Sequence, residues 1–485
     1  MLANQRRPLS SRTTSDTSKL TTPLLIAARN GHDQVVNILL SQFNVDIEQT
    51  GTVKFEGYVS EGVSALWWAA SHGHAGVVKM LLSLGADVNH ATTSNSTPLR
   101  VACFEGQLKI ARLLINKGAN IHLSNKFGNT SLMIASYKGH HDIVKYLLEK
   151  GARVNDKAYC KASALHFAAE RGHLKIVRLL VENGAEFSKS EQGLTPLQLA
   201  AENNNADIVE YLVSVPQVNQ EDCVQALELL GASYANDKDN YNLCKCYHYF
   251  RWAMKERYKD PSQPLLKTTL PPVKAYGDHM ECQTMEELEA IKDDHNALHM
   301  EALVVRERIL GEDNPEIPHA VVYRGAVFAD SGHFERCIAL WMRALFLRFK
   351  NALSIYKDLL RFAQVFSQMI HVGAVLEYEL VEHVFEHCLL EFDNDEGRIK
   401  SAESEFDRMK AYTQRDCNVA TALYLLIILI QVEDSDKHGE RLCHVTYEFN
   451  RRQLRACPLD RNYTPLHLAC DENTRVDDFH VDEVV

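Results

Sequence analysis

Between Ser64 and Ala185 the apolar and polar positions follow a pattern that is written out four times. Each copy opens on a hydroxyl-bearing residue, runs through Leu and small apolar residues, and breaks at Gly. The copies are Ser64-Ala65-Leu66-Trp67-Trp68-Ala69-Ala70, Thr97-Pro98-Leu99-Arg100-Val101-Ala102-Cys103, Thr130-Ser131-Leu132-Met133-Ile134-Ala135-Ser136 and Ser163-Ala164-Leu165-His166-Phe167-Ala168-Ala169. Leu66, Leu99, Leu132 and Leu165 recur at one constant interval, and Gly73, Gly106, Gly139 and Gly172 recur at the same one. A Ser or Thr oxygen caps the first orphan N–H groups of a helix, and Pro at the next position has no N–H to waste. The phrase therefore predicts a thin inner helix. After the Gly-His break, a stretch such as Asp142 to Leu148 carries apolar residues at helical spacing and predicts an outer helix turned back on the first. Gly85, Gly118, Gly151 and Gly184 stop the outer helices where a left-handed residue is needed.

One such helix pair cannot bury its own apolar face, so neighbouring copies must stack. The interval from Leu66 to Leu99 and onward is the ankyrin period. The predicted fold is an all-α repeat solenoid: ankyrin repeats, then a tetratricopeptide-like helical domain, then an incomplete second ankyrin segment. The array starts at Thr22-Pro23-Leu24-Leu25-Ile26-Ala27-Ala28 and closes after Thr195-Pro196-Leu197 at Pro216, giving an ankyrin domain over 21–216. The step from Leu24 to Leu66 is longer than the period, and the surplus in 44–63 is rich in β-branched and aromatic residues punctuated by Gly, which predicts an enlarged finger. From 221 to 440 the pattern stays helical without the period. Gly325, Phe328, Cys337, Trp341 and Ala344 have the spacing of a tetratricopeptide helix pair, and the proline-rich stretch Lys259 to Gly277 reads as a connector. Asn462 to Cys470 restarts the ankyrin phrase, so 459–485 is expected to be an incomplete repeat, and the Ser/Thr/Arg-rich segment 1–20 a disordered tail.

Composition narrows the classes. A chain of 485 residues suggests about three structural units at ~150 residues each. A formal charge of −12 without a basic stripe argues against nucleic acid as the main partner. The twelve Cys sit inside apolar segments rather than at framework spacings, which fits reduced thiols and a cytoplasmic and nuclear location. The longest apolar run, Ala420 to Val432, is interrupted and short, so no membrane partner is expected.

Several strings are more specific than the repeats. Ile26-Ala27-Ala28-Arg29-Asn30-Gly31-His32, Glu228-Leu229-Leu230-Gly231-Ala232-Ser233, Arg306-Glu307-Arg308-Ile309-Leu310-Gly311 and Asp358 to His371 resemble the Fem (feminization) ankyrin family, and look closest to its B-type member. The resemblance implies a substrate receptor of a cullin-RING ubiquitin ligase, not itself catalytic. Such a receptor grips client proteins by C-terminal degrons ending in Arg, and docks elongin B/C and a cullin through a box near its own C-terminus. No such box follows within this chain, so a truncated scaffold or competitor that binds clients without the ligase is the alternative expectation.

No nucleophile, base and orienting group come together in a known catalytic signature. Cys244, Cys246 and His248 look like a metal cluster, but positions two apart on a helix face different ways. Binding residues are better supported. The position after the phrase's Leu, usually a bracing His, is here Leu25, Trp67, Arg100, Met133, His166 and Gln198. Trp67 and Arg100, with Phe104, Glu105 and Tyr137 at the far ends of the inner helices and Phe55, Glu56 and Tyr58 on the finger, form the expected peptide-binding set. Aromatic walls with carboxylates suit an arginine, whose flat guanidinium stacks on a ring and forks onto an acid, and Arg100 is placed to take a terminal carboxylate. Trp67 as a filler between repeats, and the two Glu as solvated charges, are the plainer readings. The resemblance also implies a client contact through shared zinc at Cys160. Tyr159 and Gln192 stand where the family's His neighbours would be, so a structural Cys is the competing reading and no cofactor is expected of the chain alone.

Overall fold

The computed structural model describes residues 22–451 apart from 56–57, 261, 403–404 and 433–434, and the side chains of 53–60, 405–406, 435–437 and 450 are not described. The expected tail (1–20) and incomplete repeat (459–485) lie outside the described residues.

The chain falls into two compact units. The first begins with helix pairs joined by tight turns: α1 (Pro23–Asn30) and α2 (Asp33–Gln42), then a hairpin of β1 (Thr50–Phe55) and β2 (Tyr58–Ser64), then α3 (Ala65–Ser71) and α4 (Ala75–Ser83). Four further pairs follow: α5 (Pro98–Phe104) and α6 (Leu108–Asn116), α7 (Ser131–Lys138) and α8 (His141–Glu149), α9 (Ala164–Glu170) and α10 (Leu174–Glu182), α11 (Pro196–Glu202) and α12 (Ala206–Val213). Inner helices stack on inner and outer on outer in chain order. The local chemistry is the one the phrase requires. Thr22, Ser64, Thr97, Thr130 and Thr195 each accept an N–H three residues on, from Leu25, Trp67, Arg100, Met133 and Gln198. The Gly-His turns also bind repeats together. The Nε2–H groups of His74, His140 and His173 donate to the carbonyls of Arg29, Phe104 and Tyr137 at 2.9, 2.9 and 3.0 Å. Gly139 has φ +82°, and a Cβ there would lie 2.5 Å from the His173 ring, so both backbone shape and space demand Gly.

The finger is an antiparallel hairpin, Thr50 opposite Ser64, with a bulge between Gly51 and Val53. It is tied to the next repeat by the Thr93 N–H on the Glu61 carbonyl (2.9 Å).

The first unit does not stop at 216. It includes α13 (Gln220–Asn236) up to Ala235, α14 (Leu243–Arg257) and, after the connector, α15 (Met285–Ala290). The expected boundary between 216 and 221 is therefore corrected: α13 and α14 complete the ankyrin stack. Polar ties join them to its last repeat, with Gln198 Nε2–H on Gln225 (2.9 Å) and Tyr249 O–H on Glu210 (2.8 Å). Arg257 forks onto buried Glu228 within the same pair, at 2.8 Å through Nε and Nη2.

The second unit takes 236–241, 268–282 and the chain from Asp294. A 3-10 turn (Lys274–Tyr276) precedes α16 (His295–Leu310), α17 (Ile317–Asp330), α18 (Phe334–Lys350), α19 (Tyr356–His371), α20 (Tyr378–Ser401), α21 (Glu405–Val432) and α22 (Ser435–Arg451). α17 and α18 pair closely because Gly325 leaves room for Trp341. A Cβ there would sit 2.4 Å from the indole, whose N–H reaches the Val322 carbonyl at 2.9 Å. α21 runs 28 residues and has the length and composition to cross a bilayer, which corrects the reading of this run as too short. Its Val419, Ala422, Leu425, Ile428 and Leu429 nevertheless lie in the unit's core with Phe385, Phe392 and Phe366, so one face of the apolar run is the inner stripe of a packed helix, while Ile427 and Ile430 on the other face are exposed.

Candidate peptide-binding site

The turn geometry of the repeats decides where each candidate side chain goes. Trp67 and Arg100 both occupy the third position of an inner helix, so they emerge at equivalent points of adjacent repeats. Ser96, one residue before the Thr97 cap, lies between them. Its Oγ accepts the Trp67 indole N–H at 3.4 Å and an Arg100 Nη1–H at 3.5 Å. Trp67 is further fixed edge-on to Trp68, whose ring carries the Arg29 guanidinium 5.0 Å from its centroid.

Arg100 is the unusual group. It is half-buried, its Nε is shut off from solvent without a hydrogen-bond partner, and no carboxylate lies within ion-pair reach among the described residues. Burial, only slightly offset by the nearby Cys103 thiol, lowers its pKa below the ordinary arginine value. A cation held this way is poorly neutralised, and a carboxylate is the ligand that would relieve it.

The other candidates form a second group. Phe104, Glu105 and Tyr137 lie at the C-terminal ends of α5 and α7, roughly 6–8 Å along the inner helices from the level of Arg100. Here the chain supplies its own cations. Lys138 Nζ stands 4.0 Å over the Phe104 ring and the Arg171 guanidinium 4.9 Å over Tyr137, while Phe167 meets Tyr137 edge-on. A ligand arginine must therefore share these rings with, or displace, Lys138 and Arg171. Both cations are exposed and free to swing, and Glu105 is exposed beside Phe104. Glu56 lies outside the described residues, and of Phe55 and Tyr58 only the backbone, the register pair at the finger's end, is described.

Cys160 is exposed on the turn between α8 and α9, which counts against the competing reading of it as a structural Cys. Tyr159 is 73% exposed beside it, and the Glu191 N–H on the Cys160 carbonyl (2.8 Å) brings the exposed Gln192 turn alongside. Cys246 is buried on α14 while Cys244 faces solvent, so these two do not converge.

Sequence reasoning places Lys138 beside Tyr137 in the groove but misses its stacking on Phe104, and it misses two participants, Ser96 and Arg171. The signal was available, since the cation that stacks on each ring, Lys138 on Phe104 and Arg171 on Tyr137, stands one repeat later and one step on. The bracing position shows a related pattern. His166 is 1% exposed, with Nδ1 accepting the Ser163 N–H at 3.0 Å, and burial pushes its pKa down to about 4. Gln198 makes the same contact with Thr195 (3.0 Å), and Met133 a weaker one through sulfur with Thr130 (3.4 Å). Trp67 and Arg100 have given up this back-bond and turned outward.

The sequence matches the ankyrin-repeat family in three copies, over residues 9–92, 66–158 and 154–222. Among curated proteins it is similar to protein fem-1 homolog CG6966 of Drosophila melanogaster, 51% identical over 353 residues, which are 72% of this chain and 53% of the relative. It is 43% identical over 464 residues to protein fem-1 homolog C of Danio rerio, covering 93% of this chain and 73% of that protein. The Homo sapiens protein fem-1 homolog C is 39% identical over 488 residues, 98% of this chain and 77% of the relative. The matched residues thus span about half of the fly protein and about three quarters of the vertebrate ones.

Proposed function

Since the chain belongs to the fem-1 family of ankyrin-repeat proteins, we propose that it is a non-catalytic receptor that selects client proteins for a cullin-RING ubiquitin ligase by gripping their C-terminal, arginine-ended degrons. The observation that carries this reading is Arg100: a half-buried guanidinium with no carboxylate partner among the described residues, beside an indole on the inner helices. The client's terminal carboxylate pairs with Arg100, and Trp67 packs against the last residues. The client's arginine is directed along the inner helices to Glu105, exchanging with Lys138 on the Phe104 ring. Glu56 of the finger adds a second carboxylate. Elongin B/C and a cullin are the ligase partners, and the receptor works in cytoplasm and nucleus. Cys160, exposed at the end of this row, gives a client cysteine a place to share zinc.

The test is a titration of an Arg-ended peptide by fluorescence anisotropy, as the free acid and as the C-terminal amide. Losing a charge-assisted bond at a desolvated cation costs about 1.5–3 kcal/mol, a rise in Kd of roughly 10- to 150-fold. The amide should lose this much on wild type and nothing further on Arg100→Met, and Glu105→Ala should weaken the acid form by a similar factor. Equal binding of acid and amide would remove Arg100 from the site, and an unaffected Glu105→Ala would remove Glu105. Ligase recruitment is read separately, by co-purification of the chain with elongin B/C and cullin.

A further inference from the structure

We propose that the second unit holds a zinc ion between His279, Cys282 and Glu301. A tight turn builds the site. Gly277 and Asp278 both have positive φ (+69° and +54°), and the Asp278 N–H returns to the Val273 carbonyl at 3.2 Å, so the chain doubles back before 279–282. Within that loop Glu281 points elsewhere, because the Arg308 fork engages both its oxygens at 2.8 and 2.9 Å. Clamping this residue sets the loop, in which His279 and Cys282, three residues apart, converge on one carboxylate. It is Glu301, in the middle of α16 and 2% exposed. Glu301 accepts the Cys282 N–H on both oxygens (3.2 and 3.1 Å) and lies 2.9 Å from His279 Nε2. The imidazole nitrogen, the sulfur and a carboxylate oxygen all fall within 4.8 Å of one another.

The donor set selects the ion. Imidazole, thiolate and carboxylate together suit zinc, whereas magnesium and calcium want oxygen alone and copper(I) wants sulfur. Bonds of about 2.0–2.3 Å in a tetrahedron place ligand atoms roughly 3.4 Å apart, so the His279–Glu301 pair opens by about half an ångström and Cys282 closes in. Charge also balances: with Cys282 as thiolate, Glu301 ionised and His279 neutral, the two negative charges cancel the ion, which makes a buried site tolerable. The Cys282 thiol gives its proton to solvent on binding, so affinity rises with pH. Three protein ligands leave a fourth position for water on the side of the half-buried His279.

Cobalt(II) is the probe, added to the purified, chelator-treated full chain. One equivalent should give the thiolate-to-cobalt charge-transfer band with tetrahedral visible bands, and zinc should displace it at 1:1 stoichiometry in calorimetry. Cys282→Ser should abolish the band, and His279→Gln, at a partly exposed position that leaves the core intact, should weaken metal binding at least tenfold. Circular dichroism confirms that both variants are folded. No band on the wild type would mean that the three groups form only a His–Glu pair beside a thiol. A band surviving in Cys282→Ser would place the ion on another cysteine. Either result overturns the proposal.

Discussion

His166→Gln isolates one proton's contribution to the stability of the repeat stack. His166 is 1% exposed and its pKa is pushed down to about 4, first by burial and secondarily by Lys157, with backbone hydrogen bonds opposing. In the unfolded chain the ordinary value is about 6.5. A base whose folded pKa is depressed contributes stability that is complete above the unfolded value and is lost as pH falls through the folded one. The window is therefore pH 6.5 down to 4. Linkage gives a loss of about 2 kcal/mol by pH 5 and about 3 kcal/mol by pH 4. The replacement is one the protein already uses. Gln198, at the matching position of the next repeat, accepts the Thr195 N–H just as His166 accepts that of Ser163, so Gln keeps the back-bond and removes the titration. Urea unfolding of wild type and variant at pH 7.5, 5.0 and 4.0 gives the difference directly. The gap between them should move by about 2 kcal/mol in favour of the variant from pH 7.5 to 5.0. Parallel pH profiles would refute the argument and show that His166 is protonated in the folded state at ordinary cost.

Further outcomes follow from other groups. Asp395, fully buried on α20 beside Glu391, has its pKa raised to about 6 by burial and that neighbour, against Arg398 and Asn418. Its stability contribution is complete below about pH 4 and lost as pH rises through 6, by about 3 kcal/mol. Asp395→Asn should thus stabilise the second unit above pH 6 by up to that amount and leave it unchanged at pH 4, as followed by urea unfolding. Gly139→Ala and Gly151→Ala share positive φ (+82° and +86°), but only the first meets another side chain. Gly151→Ala should cost about 1–2 kcal/mol from backbone alone and Gly139→Ala about 1–3 kcal/mol more; equal losses would show that His173 yields freely. Arg100→Met should leave thermal stability equal or higher, by ~1 kcal/mol or more, while abolishing acid-specific peptide binding; a less stable variant would mean that the guanidinium is structurally satisfied.

The constant repeat interval, the Thr and Ser caps and the Gly-His turns determined the inner and outer helices and the finger. They are local: a cap is satisfied three residues away and a stripe every three or four, so the chain states them in order. The outward turn of Trp67 and Arg100 was equally legible, as a departure from the bracing position. Beyond the period the sequence had no ruler. The extension of the first unit through α13 and α14, the burial of α21 and the pairing of Gly325 with Trp341 depend on which apolar faces have complementary shapes, and that is decided only when the helices meet. The same holds for polar groups. Lys138 over Phe104, Ser96 between Trp67 and Arg100, and Glu301 against His279 and Cys282 are contacts between elements, and distance in space, not spacing along the chain, gives them their chemistry.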